Sequence, residues 1–506
     1  MLKNKVGDTA APLRSPVVSE LFEGWDRASV LYANWKSTDH LEAALRGETD
    51  LDVLIDTRSV DTAIRVAREL GFRMFRIAVP RSYPAVWDYV AYDGVRRKWI
   101  HLHFHAQIIC GDRWVKAFHL PFETALLSCR EREDGLGTWR VAPALELAIL
   151  LFRMNAKYPR SWHRSRRVLD EIAGLCRKAA ETPIPAALEG IFGPQARAYL
   201  ETVIQSGGVE TRIVGRIRRA FDPRPYRRFG PAGFLARSAF RHAYRLAAEF
   251  SRRILRRYGW GRRDLPYGGH LVAFVGIDGS GKSTNIGRVR DAFASQMNVV
   301  TVFFGSGKSG ASLLRKAAMA LFGFKAVLSS HRSQRDAERT GAVSGTRDGR
   351  RARAPLYYLA WQYLCLRDKE RALRTARRAL ANGRLVLADR WPQDQVPGRL
   401  DGPRLSAWKD APGLAGRLAR READLLSGVR LLPLRQLVIL SIDPETSVVR
   451  KPGELSREGA ASLIADLESI AWPSQALKTV VDARRPLEVV SDEVVESVWR
   501  GILIHG

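Results

Sequence analysis

The sequence has little cysteine and no long hydrophobic run. Its 506 residues include only four cysteines, none in a C-x-x-C pair and none with nearby histidines at zinc-site spacing. Free thiols in a reducing compartment fit this pattern, so we expect a cytoplasmic protein. No apolar run reaches the roughly 18 residues that a spanning helix needs, and residues 1–15 lack the apolar core of a signal peptide. We therefore expect neither a membrane-spanning helix nor a secretion signal.

The sequence is also short of acidic residues. Lysine and arginine total 82 against 53 aspartates and glutamates, a formal net charge of +29. Only 15 of the basic residues are lysine, and arginine is enriched along the whole chain. About half of the charge lies in residues 211–263, where sixteen arginines accompany only Asp222 and Glu249. No basic stretch is interleaved with aromatics as in a nucleic-acid groove, so we expect a small phosphorylated partner and no specific nucleic acid.

Length and composition predict a multidomain globular protein. A chain of 506 residues exceeds what a single hydrophobic core usually supports. Its 46% hydrophobic and 27% charged residues exclude a mostly disordered or collagen-like chain. Patterning divides the chain into a mixed domain at 20–140, a helical extension at 141–210, an arginine-rich linker and helix at 211–265, and a C-terminal domain at 266–506.

The N-terminal half alternates strand-like and helix-like patterns. We predict a short strand at 52–56, an amphipathic helix at 61–71 and one long strand at 98–110, where apolar residues recur at every second position. Helices are predicted at 142–158 and 165–177, and prolines and glycines at 220–233 mark a linker.

A basic amphipathic helix is predicted at 234–258. Phe240, Phe250 and intervening alanines recur at steps of three and four residues, and arginines occupy another face. Such a helix either lies on an anionic membrane, which would place the protein at the periphery of the inner membrane, or packs its apolar face on a domain. We favour packing of the apolar face.

From residue 270 onward, strands and helices alternate. Strands are predicted at 270–277, 299–304, 385–388 and 437–442, with helices between them. This alternation predicts the α/β class, with a parallel sheet covered by helices on both faces. Residues 329–353 are polar and rich in glycine and arginine, which is typical of a mobile insertion.

A phosphate-binding loop follows the first of these strands. Gly276-Ile277-Asp278-Gly279-Ser280-Gly281-Lys282-Ser283 matches G-x-x-x-x-G-K-[ST] in full, and Thr284 continues into a helical pattern. The glycines let backbone N–H groups turn towards phosphate oxygens, and the helix that follows points its positive end at the anion. In this motif the lysine reaches the β- and γ-phosphates, and the serine hydroxyl is a ligand of Mg²⁺. The sequence therefore predicts an ATP–Mg²⁺ site.

Further candidate residues follow later elements. Asp389 and Arg390 end the apolar strand at 385–388, where a carboxylate can hold the Mg²⁺ shell or orient an acceptor and an arginine can neutralise the transferring phosphate. Arg450 lies in a polar stretch whose cations either close over phosphates or are solvated surface charge. A second glycine loop at 305–309 fails the full motif and either faces the acceptor or simply connects two elements.

Residues 268–506 resemble the thymidylate kinase-like group of P-loop kinases. The resemblance is carried by GIDGSGKST at 276–284, DRW at 389–391, DGPRL at 401–405 and RK at 450–451. It implies a parallel sheet with helices on both faces and transfer of the ATP γ-phosphate to a nucleoside monophosphate.

The resemblance also implies roles for single residues. Lys282 and Ser283 would bind ATP–Mg²⁺, Asp389 and Arg390 would serve the acceptor phosphate, and Arg450 would belong to the lid. A family arginine on the helix before the DR strand has its counterpart near Arg367. Where thymidylate kinases carry an Arg-Glu-Pro-Gly-Gly-like loop, this sequence has FGSGKSG, which weighs against thymidylate as the acceptor.

A second set of candidate residues lies in the N-terminal half. Asp50 and Asp52 are two residues apart on a predicted strand, so both carboxylates point to one face. Two such carboxylates can hold a divalent metal for attack on a nucleotide α-phosphate. His101, His103 and His105 also share one strand face, as either a His/Asp metal site or structural histidines.

Residues 25–205 resemble the nucleotidyltransferase superfamily, in particular its uncharacterised bacterial branch. The Asp50–Asp52 pair carries the resemblance, and the strand His101-Leu102-His103-Phe104 is similar to the D-L-H-W segment of that branch. Trp35-Lys36-Ser37 stands in place of the Gly-Ser loop, and His101 stands in place of the third aspartate. The resemblance implies an α+β fold and either an active transferase or a degenerate domain that binds nucleotide or sugar phosphate.

Three functions are compatible with the sequence. The first is an ATP-dependent phosphotransferase acting on a nucleoside monophosphate or a related small phosphate or sugar acceptor, with a degenerate nucleotidyltransferase domain. The second is a bifunctional kinase and nucleotidyltransferase in surface-polysaccharide synthesis, which rests on family resemblance. The third is a non-enzymatic regulator switched by ATP.

Overall fold

The structure is a computed structural model that describes residues 15–77, 82–111, 115–253, 263–306, 312, 315–317 and 354–505. Most of the second glycine loop, from Gly307, and the predicted insertion at 329–353 lie outside the described residues. The chain divides into two compact units, Met1–Arg263 and Asp264–Gly506.

The N-terminal unit contains nine described strands and ten described helices. The strands are β1 (Tyr32–Asn34), β2 (Leu51–Ile55), β3 (Arg73–Phe75), β4 (Val86–Asp93), β5 (Lys98–His105), β6 (Ile108–Cys110), β7 (Phe118–Leu120), β8 (Arg130–Glu133) and β9 (Thr138–Val141). The helices are α1 (Pro16–Arg27), α2 (Leu41–Leu45), α3 (Val60–Glu69), α4 (Glu123–Ser128), α5 (Pro143–Lys157), α6 (Arg166–Ala180), α7 (Ala187–Phe192), α8 (Pro194–Gln205), α9 (Val214–Ala220) and α10 (Pro231–Arg253).

Seven of these strands form a mixed sheet in the order β3-β4-β5-β2-β1-β9-β8. Strand β5 lies parallel to β2 and antiparallel to β4, so these three strands are neighbours. The alternation along β5 places Ile100, Leu102 and Phe104 in the core with Trp25 of α1. The intervening histidines therefore project from the opposite face of the sheet.

One strand prediction is wrong. The stretch at 98–110 forms two strands rather than one, because the chain leaves the sheet after His105. The Ala106 N–H donates to the carbonyl of Ala85, and β6 then pairs with β7 in a separate two-stranded sheet. The period-two pattern continues through the bend, so the break between the two strands has no signal in the sequence.

Helices α5 to α8 lie within the predicted helical extension at 141–210, and α9, from the predicted linker region, packs in the same core. Helix α5 begins at Pro143 and is buried along almost its whole length, in a core that also contains Leu175 of α6 and Leu200 of α8. Ser165 directly precedes α6, in agreement with the predicted start of the second helix. The apolar run at 142–152 thus belongs to the buried helix at the centre of this core.

The apolar face of α10 is exposed. Leu235, Phe240, Leu246 and Phe250 are each more than half exposed, whereas Arg241 lies on the ring of Tyr83 and donates to its hydroxyl. The expectation that the apolar face packs on a domain is therefore wrong for these four side chains. The predicted residues 254–258 lie outside the described part of the chain.

The C-terminal unit contains five described strands, β10 (His270–Val275), β11 (Val299–Phe303), β12 (Leu385–Asp389), β13 (Leu434–Ser441) and β14 (Leu477–Asp482). Its main described helices are α11 (Lys282–Ala294), α12 (Leu356–Ala381), α13 (Gly413–Arg430), α14 (Pro444–Arg450), α15 (Arg457–Ser469) and α16 (Leu487–His505). The strands form a sheet in the order β11-β12-β10-β13-β14.

Every neighbouring pair in this sheet is parallel. All six residues of the central strand β10 are buried, as expected of a parallel strand covered on both faces. The predicted α/β class is thereby confirmed. Across the described residues, no helix combines the length and apolar character needed to cross a membrane.

Candidate functional site

The loop between β10 and α11 has the backbone of a phosphate cradle. Gly276, Gly279 and Gly281 all have positive φ angles, of 150°, 86° and 83°. A side chain at Gly276 would place its Cβ 2.6 Å from the carbonyl oxygen of Leu440 and 2.7 Å from Ser280 Oγ. The loop can therefore take this path only with glycine at that position.

Lys282 is the first residue of α11 and is buried. Its ammonium group donates to the carbonyl oxygens of Gly276 and Ile277, both at 2.8 Å. Burial, together with the neighbouring charge of Arg390, lowers the pKa of Lys282 to about 8. The amine thus lies inside the curve of the loop. A polyphosphate bound there would favour the protonated, charged form of Lys282.

Ser283 of helix α11 and Asp389 of strand β12 come together at the glycine loop. The Ser283 hydroxyl donates to Asp389 Oδ2 at 3.0 Å. Asp389 ends β12, which pairs with β10, and it lies opposite Phe274 just before the loop. Burial raises the pKa of the Asp389 carboxyl. A serine hydroxyl beside a carboxylate at this edge is the pair that holds Mg²⁺ in P-loop enzymes.

Arg390 bridges two carboxylates next to this pair. Its guanidinium donates to Asp278 Oδ1 at 2.9 Å and to Asp401 Oδ2 at 3.4 Å. The charge of Asp401, followed by those of Asp278 and Asp389, raises the pKa of Arg390. Burial alone would raise the pKa of Asp278, but the charges of Arg390 and Lys282 outweigh it and lower that pKa. Arg390 has the left-handed φ of 72°, which turns its side chain towards the loop.

Helix α14 ends against the same loop. Ser447 donates to the carbonyl oxygen of Asp278 at 2.8 Å. Arg450, the last residue of α14, donates to the carbonyl oxygen of Gly279 at 3.4 Å. The predicted lid residue therefore lies directly at the glycine loop, whereas Thr284 is exposed on the first turn of α11.

The sequence motifs assigned no role to two residues of this site, Asp401 and Lys369. Asp401 belongs to the DGPRL stretch and is nearly buried. It contacts Arg390 only because of the path of the loop that precedes Asp401. Lys369 of α12 is buried, and burial lowers its pKa while the negative charge of Asp401 partly opposes this. Arg367, the expected counterpart of the family arginine, is half-buried two residues earlier.

The residues at this loop fit ATP with Mg²⁺. Gly276 leaves the space that a side chain would fill, and the buried hydroxyl of Ser280 has no hydrogen-bond partner among the described residues. The Ser283–Asp389 pair offers the oxygen ligands that Mg²⁺ prefers.

A separate cluster occupies one face of the N-terminal sheet. Asp52 Oδ1 contacts His103 Nδ1 at 3.0 Å and His105 Nε2 at 3.2 Å, and Asp50 Oδ1 contacts His101 Nδ1 at 2.6 Å. Asp50, directly before β2, and Asp52 of β2 thus lie on the same side of the sheet as the three histidines of β5.

The structure adds a third carboxylate that the sequence interpretation missed. Asp88 of β4 lies opposite His103 of β5 and contacts its Nε2 at 2.6 Å and the Nε2 of His101 at 2.7 Å. The sequence around Asp88 is typical of a strand, which could have drawn attention to it. Only the antiparallel register of β4 with β5 places Asp88 beside the histidines.

Cations surround the three carboxylates. Lys36 contacts Asp52 Oδ1 at 2.7 Å, and Arg263 lies 3.6 Å from Asp88 Oδ2. Burial would lower the pKa of His103, but its hydrogen bonds to Asp52 and Asp88 raise it to about 9. Burial lowers the pKa of His105 to about 3, so this imidazole is neutral.

This donor set does not fit a pair of Mg²⁺ ions. The three carboxylates carry three negative charges, and Lys36, Arg263 and protonated His103 balance them. Two Mg²⁺ ions would add four positive charges to this cluster, and imidazole nitrogens are not preferred Mg²⁺ ligands. The expected role of Asp50 and Asp52 in holding a divalent metal for nucleotidyl transfer therefore finds no support from a pair of Mg²⁺ ions.

Comparison with known proteins relates the chain to two proteins of Escherichia coli (strain K12). It is 27% identical over 242 residues to the uncharacterized ATP-binding protein YghS, covering 46% of this chain and 92% of that protein. It is 26% identical over 238 residues to the uncharacterized ATP-binding protein YghR, covering 44% of this chain and 89% of that protein. No protein-family model matches the sequence.

Proposed function

We propose that the C-terminal unit is an ATP-dependent phosphotransferase that acts on a small phosphorylated acceptor or a sugar. The contact between Ser283 and Asp389 carries this proposal, because it joins the end of a complete phosphate-binding loop to a carboxylate on the adjacent strand. Similarity to two proteins named as ATP-binding supports the nucleotide part of the proposal.

In this function the loop residues hold the nucleotide. Backbone N–H groups of Gly279 to Lys282 would donate to phosphate oxygens, and the Lys282 ammonium would leave its carbonyl partners to neutralise the β- and γ-phosphates. Ser283 and Asp389 would hold Mg²⁺, which would supply charge neutralisation at the transferring phosphate. The P-loop helix α11 directs its positive end at the same anion.

Arg390 and Arg450 serve the transferring group. Arg390 is held by Asp278 and Asp401, so its guanidinium is positioned before the acceptor arrives. Arg450 lies on the rim of the loop and neutralises phosphate oxygens as part of the lid. A nucleoside monophosphate is the first acceptor class to test, and sugars are the second.

An acceptor screen tests this proposal. ATP consumption is measured with nucleoside monophosphates and sugars, for the wild-type protein and for Lys282→Ala. We expect one acceptor class to accelerate ATP loss in the wild type only. ATP binding without acceleration by any acceptor favours the ATP-dependent regulator instead, and full turnover by Lys282→Ala would contradict both enzymatic functions.

A bifunctional enzyme of surface-polysaccharide synthesis is the second candidate. It requires nucleotidyl transfer in the N-terminal unit, for which Asp50, Asp52 and Asp88 supply the carboxylates. The ion pair of Lys36 with Asp52 weighs against it. Release of pyrophosphate from a nucleoside triphosphate in the presence of a sugar phosphate, lost in Asp52→Asn, would favour this candidate.

We also propose that α10 lies on an anionic membrane surface. Four large apolar side chains, Leu235, Phe240, Leu246 and Phe250, are exposed on one side of a helix that has five arginines and one glutamate. Apolar insertion together with arginines at anionic headgroups is how interfacial helices bind.

Vesicle sedimentation tests the membrane contact. We expect binding to vesicles that contain anionic lipid, no binding to neutral vesicles, and loss of binding in the double variant Leu246→Ser and Phe250→Ser. The matched control is Val95→Ser, which removes an apolar side chain that is 76% exposed elsewhere in the unit. The membrane contact would be contradicted if the double variant sedimented with anionic vesicles as the wild type does. It would also be contradicted if the wild type formed a dimer that only the double variant abolished.

A further inference from the structure

We propose that the N-terminal strand face binds one divalent ion of the zinc class through Asp52, His103 and His105. These residues lie on β2 and β5, on the sheet face opposite the core that contains Trp25 and Phe104. The proposal concerns the N-terminal unit and is independent of the phosphotransferase function.

The three donor atoms already converge. Asp52 Oδ1 is 3.0 Å from His103 Nδ1 and 3.2 Å from His105 Nε2, and the three ligand atoms all lie within 4.8 Å of one another. In a tetrahedral site with bonds of about 2.0–2.2 Å, ligand atoms are roughly 3.3–3.5 Å apart. Small side-chain movements therefore admit an ion, and a fourth position stays open for water or a ligand.

Neighbouring groups orient the two imidazoles. The Asp88 carboxylate accepts from His103 Nε2 at 2.6 Å, which leaves His103 Nδ1 directed at Asp52. A carboxylate that accepts from the other ring nitrogen of a histidine is the usual support of a metal ligand. The ring of Trp35 packs edge-on against His105 with centroids 5.1 Å apart. Both imidazoles are thus held in place before an ion arrives.

A second possible group, Asp50 with His101 and His103, is less suited to an ion. Arg263 places its guanidinium 2.7 Å from His101 Nε2, so a permanent cation already lies against that imidazole. Asp50 is also half exposed, whereas Asp52 is nearly buried. Both groups share His103, so we infer one ion per chain.

The donor types select the ion. One carboxylate oxygen and two imidazole nitrogens suit zinc, cobalt and nickel, whereas Mg²⁺ prefers oxygen ligands alone. Lys36 competes for the same oxygen, because its ammonium lies 2.7 Å from Asp52 Oδ1. The ion must displace Lys36 from this oxygen and the proton from His103 Nδ1, which passes to water, so Lys36→Met should bind the ion more tightly than the wild type.

Cobalt binding tests the site directly. Full-length, untagged, chelator-treated protein without nucleotide is titrated with Co²⁺, and the visible absorption of low-coordinate cobalt is recorded. We expect one Co²⁺ per chain, displacement by Zn²⁺ and no displacement by equimolar Mg²⁺. The ligand variants Asp52→Asn and His105→Ala should lose the absorption. The variant Asp88→Asn, which removes the support of His103, should bind Co²⁺ about 10–100-fold more weakly.

Controls separate a metal site from loss of structure. His119→Ala removes a histidine of similar exposure that contacts Glu123 at 2.9 Å outside the cluster, and it should bind Co²⁺ like the wild type. Asp52→Asn is nearly isosteric, and its metal-free melting curve shows whether the unit is folded. The proposal is overturned by a wild type without Co²⁺ absorption, by absorption that survives both ligand variants, or by displacement with Mg²⁺.

Discussion

The buried ammonium of Lys282 makes ATP binding depend on pH in a predictable direction. Burial lowers the pKa of Lys282 to about 8 in the free protein, and a bound polyphosphate favours the charged form. Above pH 8 binding must therefore take up a proton, so the apparent dissociation constant for ATP should rise. The expected increase is about twofold at pH 8 and roughly elevenfold at pH 9, relative to pH 6.5, or about 1.4 kcal/mol per further pH unit.

Isothermal titration with a non-hydrolysable ATP analogue and Mg²⁺ measures this dependence between pH 6.5 and 9.5. Titration of the analogue's own phosphates is nearly complete above pH 7.5, so the rise above pH 8 reports the protein. Lys282→Arg keeps its charge at all these pH values and should give a flat profile. A flat wild-type profile, or the same rise in Lys282→Arg, would refute the assignment of Lys282 to the phosphates.

Three further predictions concern both units. Burial raises the pKa of Glu146 from 4.5 to about 7, so its ionisation destabilises the folded state as pH rises from 4.5 to 7, by on the order of 3 kcal/mol in all. The free energy of unfolding, measured with urea, should be lower at pH 8 than at pH 5 in the wild type, and Glu146→Gln should remove this difference. The same difference in both proteins would contradict the prediction. Gly276→Ala should abolish ATP binding without unfolding the unit, whereas Gly287→Ala, which meets no atom within 4 Å, should bind normally. Arg390→Lys cannot span both carboxylates, so kcat should fall at least tenfold with little change in ATP affinity, and an unchanged kcat would count against its role.

The parts of the nucleotide site that are local in sequence were predictable. The loop at 276–283 sets its own backbone through glycine, and Asp389 ends a parallel strand whose carboxyl end meets the same edge of the sheet. These features follow from short motifs and from the rules of parallel sheets. The prediction of the α/β class succeeded for the same reason.

Contacts that depend on loop paths and antiparallel register were not predictable. Asp401 reaches Arg390 only because the loop after β12 folds back, and Asp88 reaches His103 only through the register of β4 with β5. The exposure of the apolar face of α10 was also not predicted, because amphipathic spacing does not determine which face of a helix packs against the protein. In the structure Arg241 contacts Tyr83, whereas Phe240 is 56% exposed.

Transfer of labelled phosphate tests the central claim most directly. ATP labelled at the γ-phosphate is incubated with Mg²⁺, the best acceptor of the screen and either wild-type protein or Lys282→Ala, and the label is followed by chromatography. We expect the label to move from ATP to the acceptor with the wild type and to stay on ATP with the variant. Label on the acceptor at equal rates for both proteins, or on inorganic phosphate alone, would contradict the claim.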